Sequence, residues 1–139
     1  MALPFLGSAL IQPWRGTAGE LVAAAAGQST LWWLRGSRMR TRQGLMDEWA
    51  AAAQFPPHFG GTWDALRDAL ADLPEGGTFL VLDADQLLQE ASPDSLGTLL
   101  AVLRDAKADL APFPLRVVFQ ADPEHYDTLA AGLRAIGLD

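Results

Sequence analysis

In FPPHFGGTWDALRDAL, residues 55 to 70, Asp64 and Asp68 stand one helical turn apart with no lysine between them, and His58 lies just upstream. Two kinds of chemistry are open to such a set. Imidazole and carboxylate are the usual proton carriers and metal ligands, so His58, Asp64 and Asp68 could serve as acid, base or ligand. Alternatively, carboxylates without local counter-ions can form an anionic face for a cationic partner. Like charges four residues apart cost a helix roughly 0.2–0.5 kcal/mol per pair, so the arrangement slightly strains its own element. A plain solvated face is the simplest reading of that spacing alone.

The rest of the chain weighs against catalysis. There are only two histidines, His58 and His125, and no cysteine. Thiolate nucleophiles, thiolate zinc sites and disulfides are thereby excluded, and no histidine or carboxylate spacing suggests a metal site. Gly60-Gly61 and Gly76-Gly77 lack phosphate-loop spacing and read as turns. We therefore expect a protein that is not an enzyme and that uses no cofactor and no metal.

The 139 residues, half of them hydrophobic and 19% charged, suit one globular domain with a single core. The net charge of −7 is unevenly spread. Residues 1 to 45 hold five arginines and one glutamate, whereas residues 46 to 139 hold five basic and sixteen acidic groups, a net of −11. Such a surface repels phosphate backbones and attracts basic partners, so direct nucleic-acid binding is not expected. The cluster Arg35, Arg38, Arg40 and Arg42 reads as a solvated loop and helix start. No lysine or arginine precedes Arg15 and no clear cleavage site follows the first apolar residues, so no signal peptide is expected. No apolar run reaches the roughly 18 residues of a membrane span, Pro13, Trp14 and Arg15 ending the first candidate. The expectation is a soluble, cytoplasmic protein.

The elements that must hold Asp64 and Asp68 follow from capping and periodicity. Thr17-Ala-Gly-Glu20 has capping-box spacing and predicts a short helix ending at Gly27. TLWWL, residues 30 to 34, reads as a buried strand in which Trp32 and Trp33 face opposite sides. Leu45, Trp49, Ala52 and Ala53 recur at helical spacing from Thr41 until Pro56-Pro57 stops them. Thr62 is the expected N-cap of the next helix, which runs to about Pro74. With Leu66, Ala69, Leu70 and Leu73 turned inward, Asp64, Asp68 and Asp72 project outward. TFLVLD, residues 78 to 83, is the second strand, and Ser92-Pro93-Asp94 opens a helix carrying the stripe Leu96, Leu99, Leu100 and Leu103. LRVVFQ, residues 115 to 120, is the third strand, and Asp122-Pro123-Glu124 introduces a last helix with Tyr126, Leu129, Leu133 and Ile136 inward. Apolar strands separated by helices of crossover length imply a small parallel sheet. Trp63 at the helix start is left between core packing and partner contact.

FPPHFGGTWDALRDAL resembles the signature of the barstar family, intracellular inhibitors of small secreted bacterial ribonucleases. The shared elements are Phe55-Pro56, His58-Phe59, Gly60 and Asp64-Ala65-Leu66-Arg67-Asp68, and LRDAKA, residues 103 to 108, is similar to a second family motif. The resemblance covers about residues 30 to 120. It implies an α/β fold with a small three-stranded parallel sheet packed with helices, flanked here by an N-terminal extension, 1 to 29, and a C-terminal helix, 121 to 139, within a single domain over 1 to 139. Both flanks are expected as added helices on the sheet edge.

The resemblance also implies a function: an antitoxin-like immunity protein, monomeric when free, that lays a helix and its preceding loop across a basic nuclease active site. Carried over by position, Asp68 would be the principal anchor, Asp64 would lie beside it, and Asp105 would stand where the family has a glutamate on its third helix. His58 would lie over the partner's active site, and Phe59, Gly60, Gly61, Trp63 and Arg67 complete the expected partner-binding set. Three departures stand out: His58 for a tyrosine, Pro57 for an acidic residue, and Arg67 where the family can carry a tryptophan. A barstar-like module that serves a partner other than a ribonuclease is the second expectation.

Overall fold

The computed structural model describes residues 9–26 and 31–137. The expected helix end at Gly27 and strand start at Thr30 lie outside them. The chain forms β1 (Ile11–Arg15), α1 (Ala18–Ala24), β2 (Leu31–Arg35), α2 (Arg42–Ala53), α3 (Trp63–Ala71), β3 (Gly77–Leu82), α4 (Ser95–Leu110), β4 (Leu115–Ala121) and α5 (Tyr126–Ala135), with short 3-10 turns at Gly36–Arg38 and Ala84–Gln86.

All neighbouring strands are parallel, in the order β1-β4-β3-β2. The sheet therefore has four strands, not the expected three. The additional strand comes from the N-terminal extension, for which the sequence suggests an added helix and no strand. Its Ile11 pairs with Val117 and its Pro13 with Phe119. Pro13 had marked the end of an apolar run, but proline lacks only an N–H, and an edge strand can spare one that faces away from its neighbour. Pro13 occupies such an edge and is exposed.

Strand alternation sorts the core into two layers. Phe79 and Val81 of β3, with Val117 and Phe119 of β4, face the large cluster that includes Trp49 of α2, Leu66 of α3, Leu103 of α4 and Leu129 of α5. Leu80 and Val118 point the other way and meet Leu21 and Ala25 of the α1 segment. The two tryptophans of β2 divide likewise: Trp32 stacks on Phe79 with centroids 4.7 Å apart, while Trp33 is 37% exposed.

Two joints fix the strand ends. The fully buried Gln120 accepts from the Asp83 backbone N–H at 2.8 Å and donates to the Gly16 carbonyl at 2.7 Å, tying the ends of β3, β4 and β1 together. At the other end Gly76 adopts φ 65, and a Cβ there would lie 1.9 Å from the Pro114 carbonyl oxygen, so only glycine lets β3 begin against that backbone.

Helix starts agree with the sequence in part. Thr17 and Glu20 form the expected capping box, and Thr41 caps α2 through Gly44. α4 instead begins at Ser95, after a turn in which the Ser92 hydroxyl donates to Asp94 and lies 3.0 Å from the Ser95 hydroxyl. The Asp94 side chain, occupied by Ser92, does not cap the helix. α5 likewise starts after His125, whose N–H bonds the Asp122 carbonyl, so Asp122 closes a turn and His125 takes the cap position. In the arginine cluster, Arg35 pairs with Glu48 at 3.1 Å and Arg40 with Glu90 at 2.6 Å.

Candidate functional site

α3 forms because Thr62 satisfies a free donor at its start and leucines line one side. The Thr62 hydroxyl accepts from the Ala65 N–H at 3.1 Å, and Asp64 lies in the first turn, where the helix dipole favours a carboxylate. Leu66 and Leu70 are fully buried. Asp64, Asp68 and Asp72 are exposed, as the helical period requires. Thr62→Ala is expected to cost about 1 kcal/mol of stability, read as a lower denaturant midpoint with unchanged slope.

The loop before α3 is shaped by the end of α2. Gln54 adopts φ 54, and the Phe55 N–H returns to the Ala50 carbonyl at 3.0 Å. The Phe59 N–H bonds the Pro56 carbonyl at 2.9 Å, and the Phe55 and Phe59 rings meet at 5.0 Å. Phe55, Phe59 and Trp63 are partly buried against the main core, so these aromatics anchor the loop from below. His58, between them in sequence, is exposed. Gly61 adopts φ 69, and a Cβ on it would meet nothing within 4 Å; one on Gly60 would meet only Ala65 at 3.8 Å. The backbone over these glycines is open to approach from outside.

The acidic face extends beyond one helix. Arg67 donates from Nη2 to Asp68 Oδ1 at 3.3 Å. The hydrogen bond and charge of Asp68, with further contributions from Asp64 and from Asp105 of α4, hold the Arg67 guanidinium above its ordinary pKa. The structure thus brings Asp64, Arg67, Asp68 and Asp105 into one electrostatic neighbourhood. Asp105 is exposed on α4, as its position opposite the leucine stripe predicts.

A second set of donors was not anticipated. Asp122, Glu124 and His125, after β4, bring one ligand atom each within 4.8 Å of one another, the group with such spacing among the described residues. The sequence signal was the compact run Asp122-Pro-Glu124-His125. Nearby, burial raises the Asp83 carboxyl above its ordinary pKa, assisted by the charges of Asp122 and Asp85 and opposed by His125. A carboxyl whose folded pKa lies above its unfolded one stabilises the fold when protonated, and that contribution is lost as pH rises through the raised value. Asp83→Asn, which also suits the φ of 51 at this position, is expected to raise Tm by roughly 2 °C at neutral pH. The advantage should disappear below the ordinary carboxylate range, as pH-dependent melting can establish.

Such a surface offers carboxylates in fixed directions on a helix, with an open loop backbone beside them, which suits recognition of cationic groups. Fold and face together define a class: a small parallel α/β protein that presents an acidic helix. The chain belongs to the barstar family, since the model for Barstar (barnase inhibitor) matches residues 30–120. No match to an individual curated protein accompanies it. Membership points to a barnase-inhibitor-like, protein-binding role. Among the described residues, no helix is long and apolar enough to cross a membrane.

Proposed function

We propose that the protein inhibits a small basic ribonuclease in the cytoplasm by laying α3 and the loop before it across the nuclease's active-site groove. The observation that carries this reading is the exposed pair Asp64 and Asp68 on α3, with Arg67 bonded to Asp68 at 3.3 Å, within the segment that matches the family. Asp68 is the principal anchor, standing in for a substrate phosphate, with Asp64 and Asp105 beside it. His58 rises from the loop toward the groove, and Gly60 and Gly61 let the partner approach the backbone. Phe59 and Trp63 act chiefly by holding that loop on the core, a reading supported by their partial burial.

The test is direct titration. Adding the protein to a small basic ribonuclease such as barnase is expected to stop RNA cleavage near a one-to-one ratio. Full cleavage with the protein in large excess, across a panel of such nucleases, would favour the second reading. That reading is a barstar-fold module for a partner that is not a ribonuclease, and the observation behind it is Arg67, a cation in the middle of the acidic face.

A further inference from the structure

Arg67 occupies a place that a docking partner cannot avoid. At about 100° per residue, it projects about 60° to one side of Asp64 while Asp68 projects about 40° to the other. Arg67 stays bonded to Asp68 at 3.3 Å on the same exposed side of α3. A surface that reaches Asp64 and Asp68 together therefore meets Arg67.

The contact that holds Arg67 in the free protein is weak. It joins adjacent residues, which do not face each other on a helix, through one nitrogen and one oxygen at 3.3 Å. The side chains remain 40% and 70% exposed, so water screens the pair and a competitor can displace it. Guanidinium is built to grip a carboxylate through two parallel bonds, and here that capacity is used by half. A groove lined only by cations would press like charges against Arg67 once water is excluded, and such juxtaposition is strongly opposed at interfaces.

We propose that Arg67 makes this face selective for a protein of mixed charge: a cationic groove with a carboxylate set among its cations, which takes Arg67 and frees Asp68 for them. The inference rests on the reading of this face as the docking surface. It specifies the partner more narrowly than a basic surface does, because the carboxylate has to lie within one side chain's reach of the cations that grip Asp68.

The test uses the full chain at low ionic strength with two probes, hexa-arginine and the same peptide with one central arginine replaced by glutamate, titrated by NMR. The ratio of the two affinities is read for the native protein and for Arg67→Gln. Loss of Arg67 is expected to shift that ratio by about fivefold or more toward hexa-arginine. A ratio that stays within about twofold overturns the proposal. Inhibition of barnase by the native protein and by Asp68→Ala is measured in parallel. A shifted ratio without nuclease inhibition leaves the inference standing and removes the ribonuclease reading. Inhibition that depends on Asp68 with an unshifted ratio does the reverse.

Discussion

Asp68→Ala is expected to weaken binding to an inhibited ribonuclease by about 30-fold or more, the equivalent of ~2 kcal/mol, the threshold for an interface hot spot. The side chain is 70% exposed in the free protein, so its removal leaves no hole. The helix that carries it is pinned by the fully buried Leu66 and Leu70, so the variant should fold and melt like the native protein. The loss should appear mainly as faster dissociation, because a charge buried against arginines at the interface centre leaves those arginines unpaired when it is deleted. Asp64 shares its favour with the helix dipole, and its removal should cost less. Asp72 lies at the C-terminal cap of α3, farthest from the loop, and Asp72→Ala should change the association rate modestly and the dissociation rate hardly at all. Surface plasmon resonance at two salt concentrations separates these effects. An Asp68→Ala complex within threefold of native affinity would remove Asp68 as the anchor.

The second large effect concerns the scaffold. Phe79→Ala should cost about 3–5 kcal/mol of folding stability, the range for deleting a buried aromatic ring from a core. Phe79 is fully buried on β3, an inner strand, and touches two indoles: Trp32 at 4.7 Å and Trp49 at 5.1 Å. Trp32 is also its cross-strand partner, and Trp49 belongs to α2, so one ring joins the β2 edge to the helical layer. Collapse of that site is limited because the adjoining residues belong to paired strands. Urea unfolding followed by tryptophan fluorescence is the natural measurement, since both indoles lose the same neighbour. A loss below about 1 kcal/mol would show that the cavity closes and that the ring is not the joint described.

These two predictions draw on different layers of information. Asp68 was legible in the sequence because a helix repeats over consecutive residues: once Leu66, Ala69, Leu70 and Leu73 faced inward, the directions of Asp64 and Asp68 followed. The opposite fates of Trp32 and Trp33 were legible for the same reason, the alternation of a strand. Helix starts were less secure. Thr17, Thr41 and Thr62 cap as their types suggest, but at Ser92-Pro93-Asp94 the serine and aspartate bond each other and the helix begins two residues later than the cap pattern implies.

By itself, then, the sequence determined the helix and strand periods, the parallel α/β class, and the acidic stripe with its family signature, all carried by residues close together in the chain. Tertiary structure alone decided the fourth strand, because Ile11–Arg15 becomes a strand only through hydrogen bonds to Leu115–Ala121, a segment far along the chain. It also decided that Phe59 and Trp63 lean on the core while His58 stays outside, and that the charge of Asp105 on α4 is felt at Arg67 on α3. The physical reason is the same in each case: local periodicity sets where a side chain points, but which charge or backbone it meets depends on how distant segments pack.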